Sequence, residues 1–287
     1  CCMAEIIRVP ITVIGGGVVG LACGIELAKK FGPESVYLFE KHRKLGEEQS
    51  SRNSGVIHSG IYYEPGSLKA ELCVRGNSSI REFCAQYNVP FFPSGKLIVA
   101  CDANGAETLE LYRKRSEENG VKGVSIIGSR AVKRLEQNVE CRAALYSPRD
   151  GIIDAASYLA ALEKAAVEAG VVILKKSRIV RIEPAGGCFA TSVDAPDEAY
   201  DFMADAIVNA AGLYAEEIAA MLGSAGIFQR QLLRGEYCLF NSAKRKELFF
   251  NGSVVDPVPQ FLEEDGKKYM TLGVHLTPTF EMARNGF

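Results

Sequence analysis

The chain is poor in several things that would have pointed elsewhere. Its nine cysteines are odd in number, dispersed at 1, 2, 23, 73, 84, 101, 141, 188 and 238, and form no C-x-x-C pair. That argues against a disulfide framework or a zinc site and for free, buried thiols in a reducing compartment, with Cys23 and Cys73 inside apolar periodic runs. Only three histidines occur, and they are scattered, so no metal site is expected. Lysine and arginine (33) do not outnumber aspartate and glutamate (35), and the net charge of −2 carries no basic patch, which excludes a nucleic-acid partner. No apolar run reaches membrane-spanning length. There is no internal repeat and no low-complexity tract. The first strand starts almost at once after CCMAEIIRVP, so no targeting segment is visible, and Cys1 and Cys2 read as residues upstream of a natural start at Met3. What remains is ordinary globular composition, 47% hydrophobic and 24% charged, in 287 residues, enough for one large domain or two.

The most specific local pattern lies in residues 11–40. ITVIGGGVVG is an apolar strand breaking into Gly15-x-Gly17-x-x-Gly20, followed by a helical run that stops at Gly32-Pro33, and then by the strand VYLF ending at Glu40. Strand, glycine turn, helix, strand and acid in this order are a dinucleotide fingerprint in its proper context. Gly15 lets the chain turn. Gly17 lets a pyrophosphate approach the backbone. Gly20 lets helix and strand pack closely, and the helix N-terminus offers N–H groups to phosphate. Glu40 can accept hydrogen bonds from a ribose diol.

Beyond Glu40 the chain is polar and glycine-rich to about residue 66, and loops of that length in compact domains are usually functional. Helices are expected from Ser67, over 103–120, over 129–137 and in SYLAALEKAAVEAG, where Leu159, Leu162, Ala166 and Ala169 share a face. Strands are expected at GKLIVA, VVIL, RIVRIEP and DAIVNAAG, with a hairpin at Gly186-Gly187. After residue 226 the runs EYCLF, ELFFNGSVV and YMTLGVHL read as strands. The expected architecture is α/β: a Rossmann-like nucleotide domain from 1–85 and 146–224, with an interleaved β-rich substrate domain from 86–145 and 225–287.

The fingerprint alone fits NAD or FAD. Its position at the start of the chain, the Ser/Arg loop ten residues past Glu40, and a late strand ending in small residues at Ala211 and Gly212 favour FAD, whose extended form needs contacts along its length. Lys41, beside Glu40, and Val180, in RIVRIEP, join the expected cofactor contacts. Ser50, Ser51, Asn53 and Ser54 offer donors to phosphate or flavin, and Arg52 suits a pyrophosphate or a substrate carboxylate.

The stretch QSSRNSGVIHSGIYY at 49–63, followed by EPGSLKAELCVRG, resembles the L-2-hydroxyglutarate dehydrogenase/oxidase family of the wider D-amino-acid-oxidase-like flavoproteins. GKLIVA, VNAAGLYA at 208–215, RGEY at 234–237 and LGVHLTP at 272–278 are similar in the same order. After Pro278 the family continues where this sequence reads TFEMARNGF, so a final strand and helix that complete the flavin site are expected to be missing. The resemblance implies oxidation of a small 2-hydroxy dicarboxylate, L-2-hydroxyglutarate, to 2-oxoglutarate, with electrons passing to a quinone-like acceptor or oxygen. It also makes peripheral membrane association plausible, and a cytoplasmic or mitochondrial location. A histidine suits the base that takes the hydroxyl proton. His58 in the specific loop is the first candidate and His275 the second, each against the reading of a histidine that only braces its surroundings. His42, in KHRK, reads as a solvated loop residue. Arg234, Tyr62, Tyr63 and Tyr237 are candidate partners for the substrate carboxylates, although Tyr62 and Tyr63 also suit a core. The acids elsewhere show no paired-carboxylate pattern. Competing readings are a flavin amine or amino-acid oxidase, a non-catalytic FAD-binding fragment, and an NAD-linked dehydrogenase.

Overall fold

The fold, from a computed structural model, is described for residues 7–227, 230, 232–239, 250–264, 267–271 and 273–280. Cys1, Cys2, Leu272, residues 240 and 247–249 of the expected strands and the final residues 281–287 lie outside the described residues. In chain order the elements are β1 (Arg8–Ile14), α1 (Val18–Phe31), β2 (Val36–Glu40), β3 (Val56–Ile57), α2 (Leu68–Tyr87), β4 (Phe91–Phe92), β5 (Lys96–Ala100), α3 (Ala103–Glu118), β6 (Ser125–Gly128), α4 (Ser129–Leu135), β7 (Ala143–Ser147), β8 (Gly151–Ile153), α5 (Ala155–Glu168), β9 (Val172–Lys175), β10 (Arg178–Ala185), β11 (Cys188–Asp194), β12 (Tyr200–Asn209), α6 (Ala215–Ala220), β13 (Val254–Pro257), β14 (Gln260–Glu264) and β15 (Lys267–Thr271).

These elements form two compact units. One joins Cys1–Asn53 to Ala155–Glu236, the other Ser54–Asp154 to Tyr237–Phe287. The divisions fall at 53, 154 and 236, where the sequence reading places them at 85, 145 and 224. The physical reason for the first shift is α2. Its Asn77 amide donates to the carbonyls of His58 (3.0 Å) and Arg149 (2.9 Å), so the helix belongs with the segments of the second unit.

The first unit holds a six-stranded sheet in the order β10-β11-β12-β1-β2-β9. β12, β1, β2 and β9 run parallel, and β10-β11-β12 form an antiparallel meander. β1 is buried from Ile11 to Ile14, as a parallel strand covered on both faces must be. α1 packs against α5 and buries Gly20, Leu21, Gly24, Ile25 and Ala28, a single helical stripe. Its end follows from sequence: the Gly32 N–H donates to the Ala28 carbonyl (2.9 Å) at φ +98°, and Pro33 cannot continue the helix. On the sheet, Phe39 stacks on Phe202 with centroids 5.1 Å apart, within a cluster that includes Ile179, Ile182 and Ile218. Each buried ring of this kind contributes roughly 1.5–3 kcal/mol.

The second unit is the β-rich one. Its four-stranded sheet runs β13-β5-β7-β6, beside a three-stranded β3-β8-β4 and the hairpin β14-β15. β5 is buried throughout and alternates between two cores. Ile98 and Ala100 join Ile61, Leu109, Tyr112 and Leu145, while Leu97 and Val99 join Val132, Ala144, Phe250 and Val255. Buried Glu136 anchors the return of the chain, accepting the N–H groups of Asn251 and Ser253, each at 2.7 Å. EYCLF forms no strand over its described residues 236–239; exposed Tyr237 and Leu239 find no buried face to pack on. The described cysteines are free, but Cys84 alone among them is buried, and Cys101 and Cys238 are exposed, so the expectation of buried thiols fails for most of them.

Candidate functional site

In the first unit the glycine turn is interlocked with the end of β12. A Cβ on Gly15, which sits at φ +110°, would lie 2.4 Å from the Ala210 carbonyl oxygen. One on Gly20 would lie 1.9 Å from the carbonyl oxygen of Gly15 itself. No side chain fits either position, and the result is a backbone surface that a phosphate can approach. Ala211 and Gly212 continue from the same junction. The Ala211 N–H donates to Asn209 Oδ1 (3.3 Å), while the Asn209 amide donates to the Ala215 carbonyl (2.7 Å) and holds the turn into α6.

Ser50 is the loop residue that reaches this turn. Its Oγ accepts the Val18 N–H (3.0 Å), capping α1 from a distant segment, and a Cβ on Gly17 would stand 2.9 Å from it. Ser51 Oγ donates to the Glu48 carbonyl, the Arg52 guanidinium to the Glu47 carbonyl (3.4 Å), and the Asn53 amide to the Ser50 carbonyl (2.9 Å). These three side chains and Ser54 are exposed.

Glu40 is 7% exposed and fixed by backbone. Its Oε2 accepts the Gly16 N–H and its Oε1 the His42 N–H, each at 2.8 Å. A carboxylate has about four lone-pair sites, so two remain for a ribose diol. The Ser177 N–H donates to the Glu40 carbonyl (2.8 Å), bringing the start of β10 against the end of β2; Val180, three residues on, is exposed at the bulge in β10.

Beyond Glu40 the structure corrects the reading of His42 as a solvated residue. His42 Nε2 stands 2.8 Å from Glu48 Oε1, and Lys41 Nζ is 3.1 Å from the same oxygen and 3.1 Å from the Tyr214 ring centroid. The His42 hydrogen bond first, and Lys41 second, hold the Glu48 carboxyl down at a pKa of about 2. Lys41 and His42 also line a cavity of about 620 Å³ with Lys176 and Arg178.

The second unit contains what spacing alone did not reveal. Lys96, at the first position of β5, is 1% exposed, and its Nζ lies 2.9 Å from Asp256 Oδ2 and 3.8 Å from Asp150 Oδ1. The register explains the meeting. β13 runs parallel to β5 with Val254 opposite Lys96 and Asp256 opposite Ile98, so both charged side chains leave the same face of the sheet. Buried charges persist only when paired and hydrogen-bonded. Asp150 Oδ2 accepts from the Ser59 and Ser147 hydroxyls, each at 2.5 Å, and Asp256 Oδ2 accepts from Tyr62 Oη at 3.0 Å. The expectation of no paired-carboxylate pattern is therefore overturned: two acids far apart in sequence converge on one lysine.

His58 and His275 join this cluster. His58 Nδ1 is 3.4 Å from Lys96 Nζ, and His275 Nδ1 is 3.3 Å from Asp256 Oδ1. Loss of water around the inner side of the ring, then the Lys96 charge, lowers the His58 pKa, against the pull of Asp150 and Asp256. Tyr62 is half-buried, edge-on to Tyr112 at 5.3 Å, and its phenol is pushed up by burial and by Asp256. Tyr63 is half-buried with Lys69 Nζ 4.5 Å from its ring centroid. Arg234, 87% exposed, reaches Glu236 at 3.8 Å, and Tyr237 is 72% exposed; neither is fixed by a core contact. The signal that sequence reading passed over was a lysine opening an otherwise apolar buried strand, which demands an acid from elsewhere.

A family model described as FAD dependent oxidoreductase matches residues 10–281. The chain belongs to that family. FAD is accordingly its dinucleotide. The chain is 33% identical over 279 residues to the mitochondrial L-2-hydroxyglutarate dehydrogenase of Bos taurus, covering 94% of this chain and 58% of that protein. It is 32% identical over 272 residues to L-2-hydroxyglutarate dehydrogenase of Indibacter alkaliphilus, covering 93% and 64%. Among solved structures it is similar to dithionite-reduced L-alpha-glycerophosphate oxidase from Mycoplasma pneumoniae with FAD bound, at TM-score 0.68 and 27% identity over 75% of this chain and 57% of that one. The chain thus spans about three-fifths of the length of the curated relatives it matches. The residues present fit the adenosine and pyrophosphate part of FAD: side-chain-free backbone at Gly15, Gly17 and Gly20, donors at the start of α1, and acceptor capacity on Glu40. No helix among the described residues is long and apolar enough to cross a membrane.

Proposed function

We propose that this chain is part of an enzyme that oxidises L-2-hydroxyglutarate to 2-oxoglutarate. The observation that carries the reading is 31–33% identity to L-2-hydroxyglutarate dehydrogenases from cattle, a bacterium and human over more than nine-tenths of the chain. FAD, when bound, supplies the oxidant that takes the C2 hydrogen as hydride. Gly15, Gly17, Gly20 and Ser50 hold the pyrophosphate, Glu40 the ribose, and Lys41, Val180, Ala211 and Gly212 flank them, with Arg52, Ser51, Asn53 and Ser54 on the loop beside it. The chain's own task in the chemistry is to orient the substrate and take its hydroxyl proton. His58 and His275 are the groups of suitable chemistry, both on the buried Lys96–Asp256 pair. A dicarboxylate needs cationic or hydroxyl partners, which exposed Arg234 and Tyr237 and half-buried Tyr62 and Tyr63 offer. The electrons pass on to a quinone-like acceptor or oxygen. A mitochondrial location follows the naming of the animal relatives.

The test is the absorbance spectrum of the purified protein with FAD, before and after L-2-hydroxyglutarate under anaerobic conditions. Bleaching of the flavin bands is expected. Bleaching by an amino acid and not by the hydroxy acid would transfer the assignment to an amino-acid oxidase, and no flavin retention at all would make the chain a non-catalytic fragment.

A further inference from the structure

Two arginines of the second unit, Arg81 and Arg149, are held together by backbone and a hydroxyl rather than by a carboxylate. Arg81 lies in the second half of α2, and Arg149 in the turn between β7 and β8; both are half-buried. The Arg149 carbonyl accepts from Arg81 Nη2 at 2.5 Å and from the Asn77 amide at 2.9 Å. The Arg149 guanidinium turns back to the same helix, where its Nη2 donates to Ser78 Oγ at 3.4 Å. Ser78 and Arg81 are three residues apart and therefore neighbours on one helix face. The Arg81 guanidinium stands over the Phe91 ring, 4.5 Å from its centroid, with Nε 3.4 Å from Asn77 Oδ1. Gly151 makes room for that ring, since a Cβ there would lie 2.6 Å from Phe91 Cε2.

Other half-buried arginines are neutralised: Arg113 meets Glu110 and Arg115 meets Glu64, each at 2.7 Å. Neither Arg81 nor Arg149 has a carboxylate within ion-pair distance among the described residues. Asp150 attracts Arg81, but its oxygens are engaged by the Ser59 N–H, the Ser59 and Ser147 hydroxyls and Lys96. Burial first, and the Arg149 charge second, lower the Arg81 pKa, against Asp150 and Cys84. Two like charges drawn partly out of water repel, and an anion between them offsets that cost. Most of their N–H donors are uncommitted, and a guanidinium presents them as a planar fork that matches a carboxylate or a phosphate. We propose that Arg81, Arg149 and Ser78 form a binding site for a small oxyanion, a carboxylate or phosphate group, that shares no residue with the glycine turn or the Lys96 cluster. The site backs onto that cluster. The Asn77 amide joins the Arg149 carbonyl to the His58 carbonyl, and Asp150 follows Arg149 in the chain, so an anion here steadies the turn that carries Asp150. The inference goes beyond the oxidation proposed above and does not rest on it.

The test is calorimetric titration and thermal unfolding of the full-length chain with inorganic phosphate and, separately, with glutarate, at an ionic strength held constant with chloride. At least one probe is expected to bind saturably and to raise the unfolding midpoint by about 2–5 °C at roughly 100 times its Kd. The stronger probe tells whether the natural ligand carries phosphate or carboxylate. Arg149→Gln keeps the carbonyl that Arg81 and Asn77 hold, so the turn should survive, and binding should weaken by at least about tenfold. Arg81→Lys keeps the charge but loses the fork and should weaken binding similarly. Without anion, Arg149→Gln should unfold at the same midpoint as wild type or a higher one, because one of two neighbouring like charges is gone. A markedly lower midpoint would make the guanidinium a structural tie and overturn the proposal. So would the absence of saturable binding by either probe. Binding equal in wild type and Arg149→Gln would put the anion elsewhere, the glycine turn included, and would also overturn it. Each of these failures leaves the oxidation of L-2-hydroxyglutarate standing, since neither arginine takes part in it.

Discussion

Gly15, Gly17 and Gly20 work by having no side chains, and they do so within a single turn of backbone. Lys96, Asp150 and Asp256 work by placing charged side chains out of water, with exposed His58 and His275 at their edge, and the five come from five separate segments. The first device depends on shape. Its cost is conformational freedom lost at glycine, and nearly any polar anion of the right size satisfies it. The second depends on mutual compensation. Lys96 is tolerable because Asp256 and Asp150 are there, and Asp150 because Ser59 and Ser147 are there. The glycine turn should thus fail locally, by collision, and the charge cluster collectively, by leaving charges unpaired.

The largest expected effect tests that difference in the cluster. Lys96→Met leaves Asp256 and Asp150 buried without their cation and should lower stability by about 3–5 kcal/mol, read by urea or thermal unfolding. Adding Asp256→Leu to Lys96→Met should recover much of this, because an apolar pair of similar volume removes the unpaired charge. A double variant as unstable as the two single losses added together would show that the residues do not compensate one another. Next in size is Gly20→Ala. Its Cβ would lie 1.9 Å from the Gly15 carbonyl oxygen, which backbone cannot easily yield. A loss of about 1–3 kcal/mol is expected, with FAD affinity falling at least tenfold. Unchanged flavin retention would mean that the turn is not the cofactor's cradle.

The same contrast explains what was legible in the sequence. The fingerprint could be read because its information is local: a turn at Gly15, a close approach at Gly20 and an acid at the end of the next strand all fall within 30 residues of one another. Helices α1 to α5 were equally visible through their stripes and stops. The cluster was not, because strand pairing between β5 and β13 joins residues 96 and 256, and no periodicity encodes which strand adds to which sheet edge. β6 and β7 were missed for the same reason: SIIG and AALYS are too short to show alternation, and pairing with β5 decides them. EYCLF failed in the opposite sense, having the composition of a strand over 236–239 but no strand partner among the described residues.

Smaller effects sharpen the picture within the first unit, where the glycine turn does borrow side chains. Ser50→Ala removes the acceptor of the Val18 N–H and should cost about 1 kcal/mol without cofactor, measured by thermal unfolding. A loss as large as that of Gly20→Ala would make the loop, not the backbone, the principal element of the cradle.

The smallest effect concerns Glu48, the point where Lys41 and His42 are tied to the loop. Its folded-state pKa is depressed from 4.5 to about 2. A carboxyl depressed on folding binds fewer protons in the native state, so its contribution is present above its unfolded pKa and is lost as the pH falls through the folded value. Glu48→Gln should therefore lower stability near neutrality, and the gap to wild type should close between about pH 4.5 and about pH 2. The side chain is 39% exposed, so screening limits the gap to under about 1 kcal/mol, and added salt should narrow it further. The Lys96 cluster is buried and should show little response to the same salt. A Glu48 effect that ignores salt, or a Lys96 effect that follows it, would erase the distinction between a solvated tie in one unit and a desolvated ion pair in the other.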